Sequence, residues 1–261
     1  MAKDEGSPTE RGLREVSVEV ALISHRGGNG FGPENTLEAL EEALERGVTA
    51  IETDVQQAGD GTLVIHHDGE VDGLPIRQTP FRKLRALHPE IPSLDEYLEL
   101  AGGRCFLNLE VKWAEPKALA ERLGVLDPDR ILVTSFNRDI LRGLREAAPE
   151  LPLGLLPDNI IHNSGAAEEA AAQGFLAILP FELLATRHLV AEAHRHGLRV
   201  VAWTVNRTLM LERLLENGID GIITDRYPVM RDFLLARGIR PVDNPLAVPL
   251  VRGGSEPGGD P

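Results

Sequence analysis

From Val16 to Ala236 the chain alternates short aliphatic or β-branched runs with longer stretches in which apolar residues return every three or four positions. Runs of the first kind read as strands and stretches of the second as helices with one buried face. The strands expected are Val16 to Ser24, Val48 to Val55, Cys105 to Glu110, Arg130 to Thr134, Pro152 to Leu156, Phe175 to Leu179, Arg199 to Thr204 and Gly221 to Thr224, with a further extended piece at Thr62 to His66. The helices expected are Glu34 to Arg46, Leu94 to Leu100, Pro116 to Leu123, Arg138 to Ala147, Ala166 to Ala172, Thr186 to His196, Arg207 to Glu216 and Val229 to Ala236. Local chemistry supports these boundaries. Pro33 and Gly47 suit the start and stop of the first helix, and Ser93 with Glu96 three positions on predicts a capping box. Between Asp68 and Pro92 no period persists beyond the short Pro80 to Leu87 piece, which predicts an elaborated loop over one end of the fold.

Alternating strands and helices imply parallel strands joined by crossover helices. A count of about eight such units is the number that closes a (β/α)8 TIM barrel, here with a short loop insertion after the second strand. The organisation expected is a flexible leader over residues 1–15, a barrel over 16–240 and a Pro/Gly-rich, irregular tail over 241–261. The total of 261 residues fits one such barrel, which typically uses about 250.

Charge narrows the partners. Lys+Arg 27 against Asp+Glu 41 leaves a formal net charge of -14, which opposes general binding to nucleic acid or an anionic membrane surface. A phosphate ligand must then be drawn by local cations. Cys105 is the only cysteine, so no intramolecular disulfide forms, and its place in an expected strand marks it as a small buried filler. Met1 to Glu15 lacks the apolar core of a signal peptide, and no apolar run approaches the roughly 18 residues of a membrane span. A cytoplasmic protein acting on a small molecule is the expectation.

The chemistry concentrates between Ile51 and Lys112. Ile51-Glu52-Thr53-Asp54-Val55 puts carboxylates two residues apart, and Asn108-Leu109-Glu110-Val111-Lys112 repeats the spacing with an amide, a carboxylate and an ammonium. Residues two apart on a strand face the same way. Three carboxylates converging with one lysine require a further cation, and a hard divalent metal is the simplest. His25-Arg26 and His67-Asp68 add titratable and cationic groups of the kind a metal-assisted hydrolysis needs. The glycine-rich Gly28-Asn29-Gly30-Phe31-Gly32-Pro33 has Pro where a dinucleotide motif needs its last glycine, and no G-K-[ST] follows, so nucleotide binding is set aside.

Taken in order, His25-Arg26-Gly27-Gly28 with Pro33-Glu34-Asn35-Thr36, Glu52-Thr53-Asp54-Val55, His67-Asp68, Glu110-Val111-Lys112, Trp203-Thr204-Val205-Asn206 and Asp220-Gly221-Ile222-Ile223-Thr224-Asp225 resemble the signature of the glycerophosphodiester phosphodiesterases. The resemblance runs from about His25 to Pro228 and departs after His67-Asp68, where the chain reads Gly69-Glu70-Val71-Asp72-Gly73 instead of an Arg-Thr-Thr run. It implies a metal-dependent TIM barrel that cleaves glycerophosphodiesters to glycerol 3-phosphate and an alcohol. By the same resemblance Glu52, Asp54 and Glu110 match metal ligands for one Mg²⁺ or Ca²⁺, His25 and His67 the acid–base pair, and Arg26 and Lys112 phosphate contacts. It also implies a cyclic phosphate formed by the glycerol 2-hydroxyl.

Other readings of these residues stand beside that one. His66 and His67 should face opposite ways, so only one enters the site, and the resemblance selects His67. Trp203 and Phe136 read equally as barrel filler and as an apolar wall for the substrate's glycerol face. Glu34 and Asn35 read equally as the start of a helix and as support for His25 and the metal ligands. His88, His162, His188, His194 and His196 fall in expected helices or loops and read as solvated or packing residues. A phosphoinositol or lysolipid substrate, or a phosphoester-binding protein without turnover, would use the same residues.

Overall fold

Each barrel strand and helix foreseen from the alternation is present in the computed structural model, which describes residues 18–157 and 165–250. The order opens with β1 (Glu19–Ser24), α1 (Leu37–Glu45), β2 (Ala50–Gln57), β3 (Leu63–Ile65), β4 (Glu70–Val71), β5 (Leu74–Pro75), α2 (Phe81–Leu87) and α3 (Leu94–Ala101). It continues with β6 (Phe106–Trp113), α4 (Pro116–Leu123), β7 (Ile131–Ser135), α5 (Arg138–Ala147), β8 (Leu153–Leu155), α6 (Ala166–Ala172) and β9 (Ala177–Ile178). α7 (Arg187–Arg195), β10 (Arg199–Ala202), α8 (Thr208–Glu216), β11 (Gly221–Thr224), α9 (Tyr227–Leu235) and β12 (Arg240–Val242) complete it. β1, β2 and β6 to β11 pair in parallel around a ring, closed where β1 meets both β11, Ser24 opposite Thr224, and β2, Ser24 opposite Ile51.

Alternation along the strands sorts side chains into two layers. Ile23, Ala50, Phe106, Leu132, Leu156, Ala177, Leu179, Val201 and Ile223 form the cluster inside the ring. Their sequence neighbours Leu22, Ile51, Leu107, Val133, Leu155, Ile178, Val200 and Ile222 face the helices and join the larger cluster. Caps hold the helices where expected: Thr36 and Asn137 accept from first-turn amides, and the Ser93–Glu96 capping box closes in both directions.

Three expectations change. Residues 68–92 fold into the β4–β5 hairpin, a 3₁₀ turn at Ile76–Gln78 and α2, built over a small core of Ala58, Val64, Val71, Ile76, Leu84 and Ile91. The apolar positions there are too widely spaced to show a period, yet they meet one another. The tail does not become irregular at residue 241, because β12 lies parallel to the start of β1, so the expected boundary falls inside a strand. Beyond it Leu246 packs against the interior cluster and Asn244 donates to the Asp129 carbonyl at 2.8 Å, plugging the end of the ring where the strands begin. Lastly, β6 runs on past Glu110 to Trp113, because its ladder with β2 continues through a register shift between Val55 and Gln56. The leader and residues 251–261 lie outside the described residues, and among those described no helix is long and apolar enough to cross a membrane.

Candidate active site

β2 and β6 are neighbours with Glu52 opposite Asn108 and Asp54 opposite Glu110. Glu52, Asp54, Asn108 and Glu110 therefore share the inward face with Ala50 and Phe106, at the end where the strands finish. The carboxylates of Glu52, Asp54 and Glu110 each place an oxygen within 4.8 Å of the others, and all three residues are buried. Their compensation is partial. Lys112 Nζ lies 3.1 Å from Asp54 Oδ1 and 2.5 Å from Glu110 Oε1. The Arg26 amide donates to Glu52 Oε2 at 2.9 Å, and Asn35 Nδ2 donates to Asp54 Oδ2 at 2.8 Å. Glu52 Oε1 is buried without a hydrogen-bond partner among the described residues. Burial, with the charges of Asp54 and Glu110 beside it, pushes the Glu52 carboxyl up to about 8. Burial also raises Glu110, against the opposing pull of Lys112.

One ammonium against three carboxylates leaves two negative charges, which a divalent cation would match. The donors are all oxygen, as a hard cation requires, and the orphaned Glu52 oxygen supplies a free acceptor. The residues present therefore fit such an ion.

The metal-free protein should show this in its stability. Folded Glu52 keeps its proton up to about 8, whereas an ordinary glutamate releases it near 4.5. The folded state thus binds more protons in that window, so the stability contributed by this group is lost as pH rises from about 5 to about 8. Melting temperatures in EDTA should fall over that interval relative to those of Glu52→Gln, and a saturating divalent cation should flatten the slope of the unsubstituted protein.

His25, just past β1, places Nδ1 2.7 Å from Asp225 Oδ1 and Nε2 3.8 Å from Glu52 Oε2. A carboxylate only accepts, so Asp225 fixes the proton on Nδ1 and turns Nε2 to the cluster. Burial alone would lower the His25 pKa. The Asp225 hydrogen bond and the charges of Glu52 and Asp225 outweigh it, and the net shift is upward. Asp225 is itself held, by Asn206 Nδ2 at 2.6 Å and Asn29 Nδ2 at 3.1 Å, while its amide donates to Asn206 Oδ1 at 2.9 Å. Gly30 makes this approach feasible: at φ +104, a Cβ there would stand 2.5 Å from the Asp225 carbonyl oxygen.

His67 lies beyond β3 on the other flank of β2, with Nδ1 2.8 Å from Asp68 Oδ1. β3 ends at Ile65, so both histidines lie past the strand, entering the bend at residues 67–69. Burial holds the His66 pKa below the ordinary value. Gln56 Nε2 clamps that bend by donating to the carbonyls of His66 at 2.9 Å and Asp68 at 2.6 Å.

Glu34 and Asn35 precede the helix, which starts after Thr36. Asn35 donates to Asp54, in line with the second of the two readings left open for it, whereas Glu34 pairs with Arg26. It takes both contacts from Arg26 Nη1, at 3.0 and 2.9 Å, fixing that guanidinium at the rim. The opposite half of the mouth is apolar. Phe136 and Phe181 meet Trp203 edge-on at 5.6 and 5.8 Å, and the indole N–H donates to the Leu179 carbonyl at 2.7 Å. Lys112 Nζ, 6.0 Å from the Phe136 ring centre, stands between the two halves.

Residues 25–228 match the glycerophosphoryl diester phosphodiesterase family. The chain belongs to the glycerophosphoryl diester phosphodiesterase family. A glycerophosphodiester phosphodiesterase of Caldanaerobacter subterraneus subsp. tengcongensis is 31% identical over 235 residues, 80% of this chain and 95% of that protein. A solved relative from Silicibacter pomeroyi superimposes with a TM-score of 0.76 at 27% identity, over 87% of this chain and 96% of its own. A phosphodiesterase of Oleispira antarctica, solved in complex with the product sn-glycerol-3-phosphate, gives 0.74 at 26% identity, over 82% and 96%.

Within the family's outline the structure adds residues to which the sequence assigned no role. Asp225, Asn206 and Asn29 orient His25, Gln56 fixes the His66–Asp68 bend, and Phe181 completes the aromatic side. Thr224-Asp225 ending a strand at the rim was the available signal for the first of these. Three of the other histidines are engaged or exposed elsewhere. His194 Nε2 is bonded to Asp220 Oδ2 at 2.8 Å, His88 sits between Asp72 and Glu90, and His188 is exposed, while His162 lies outside the described residues. Cys105 is buried and its thiol is pushed up to about 12, as befits a filler.

Proposed function

We propose that this chain hydrolyses glycerophosphodiesters to glycerol 3-phosphate and an alcohol, with a divalent cation on Glu52, Asp54 and Glu110 and with His25 and His67 as the acid–base pair. The observation that carries the reading is three buried carboxylates converging beside a histidine fixed by Asp225.

A phosphodiester resists attack because its anionic oxygens repel the nucleophile. A bound Mg²⁺ or Ca²⁺ supplies the opposing charge. Lys112 adds a second positive charge beside Asp54 and Glu110, and Arg26 a third at the mouth. His25 exchanges its proton through Nε2, since Nδ1 is engaged by Asp225, and His67 likewise keeps Nε2 free while Nδ1 meets Asp68. One ring takes the proton of the attacking hydroxyl and the other protonates the departing oxygen. With the glycerol 2-hydroxyl as first nucleophile, a cyclic phosphate forms and water opens it with the two roles exchanged. Trp203 and Phe136 offer the carbon face of the glycerol an apolar wall. The same reading places the enzyme in lipid metabolism, acting on deacylated phospholipids in the cytoplasm, where a buried lone cysteine is at home.

The test is product identity. Purified protein with Mg²⁺ or Ca²⁺ is given glycerophosphocholine, glycerophosphoethanolamine, glycerophosphoinositol and lysophosphatidylcholine in turn. Glycerol 3-phosphate with the free alcohol from the deacylated diesters is expected. A phosphorylated headgroup with free glycerol, turnover confined to the lysolipid, or saturable binding without hydrolysis would overturn the reading.

A further inference from the structure

Behind the carboxylates, on the face of β2 turned to the helices, a second set of polar atoms is sealed from water. Thr53 lies between Glu52 and Asp54 in sequence and points the opposite way, fully buried. Its hydroxyl donates to Asn35 Oδ1 at 2.7 Å. Asn35 passes the polarity on by donating through Nδ2 to Asp54 Oδ2 at 2.8 Å, and its Oδ1 also lies 3.4 Å from the Asp54 amide. Asn35 reaches this position with a left-handed backbone, φ 58, which asparagine tolerates better than most residues.

We propose that Thr53 heads a one-way hydrogen-bond chain, Thr53 to Asn35 to Asp54, and that Thr53 is a positioning residue that sets the Asp54 carboxylate for the divalent cation. The chain crosses β2 from the helix layer to the site, and each bond polarises the next. This inference rests on the reading of Asp54 as a cation ligand.

Calorimetric titration of Mg²⁺ or Ca²⁺ into metal-stripped protein tests it, with melting temperature recorded separately. Thr53→Val removes the head of the chain and should weaken cation binding about 10-fold, as loss of an outer partner of a ligand does. Thr53→Ser keeps the hydroxyl and should bind like the unsubstituted protein. Thr53→Val binding the cation like the unsubstituted protein, or Thr53→Ser binding as weakly as Thr53→Val, overturns the chain. The same holds if melting temperature alone moves. Failure of the unsubstituted protein to bind the cation overturns the ligand reading itself and is recognisable as such.

Discussion

Replacing His25 by Ala is expected to lower kcat for glycerol 3-phosphate release by about 10²–10⁴-fold, the usual worth of a placed acid–base group. The argument lies in the groups around the ring. Asp225 takes the Nδ1 proton, Asn206 and Asn29 pin Asp225, and Nε2 is left facing Glu52. Asp225→Asn keeps the shape of that carboxylate but introduces an N–H where His25, Asn206 and Asn29 all donate. The ring then loses its fixed tautomer, so Asp225→Asn should approach the loss seen in His25→Ala. The two substitutions together should cost no more than His25→Ala alone, because they act on one unit. Single-turnover and steady-state rates measured side by side check this. An Asp225→Asn enzyme with more than about a tenth of full activity would show that His25 is not oriented through Asp225.

The second large effect concerns Glu52 and carries opposite signs for activity and stability. Glu52→Gln removes one of the three proposed ligands and should lower turnover by about 10²–10⁴-fold, equivalent to several kcal/mol of transition-state charge stabilisation. The same change relieves a buried carboxylate of its repulsion by Asp54 and Glu110, the repulsion that with burial lifts it to about 8. Metal-free Glu52→Gln should therefore melt higher than the metal-free unsubstituted protein at pH 8, and gain less on adding the cation. Sites that concentrate like charge for function commonly show this exchange of stability for activity. A Glu52→Gln variant that loses stability in EDTA at pH 8 would contradict the electrostatic account of the cluster.

Much of this was legible in the chain because its carriers are local. Glu52, Asp54 and Glu110 stand at strand spacing, and neighbouring strands bring them together once β2 pairs with β6. Helix ends such as Ser93–Glu96 follow from chemistry within four residues. Partners distant in sequence were less visible. Asp225 lies 200 residues from His25, and nothing local says that the last barrel strand returns beside the first. For Glu34 the sequence left a helix start and a supporting role equally open and gave no sign of its pairing with Arg26, which sits in a left-handed turn at φ 47. The tail looked irregular from its Pro and Gly content, yet three residues sufficed to pair with β1 and place Leu246 under the barrel.

The most direct measurement is ³¹P NMR of metal-stripped protein with glycerophosphocholine while Mg²⁺ or Ca²⁺ is titrated in. The account predicts an unchanged diester signal in EDTA, conversion to glycerol 3-phosphate on adding the cation, and no recovery with Glu52→Gln at the same cation concentration. Steady formation of glycerol 3-phosphate in EDTA, or full recovery by Glu52→Gln, would mean that the three carboxylates do not serve the reaction by holding a cation.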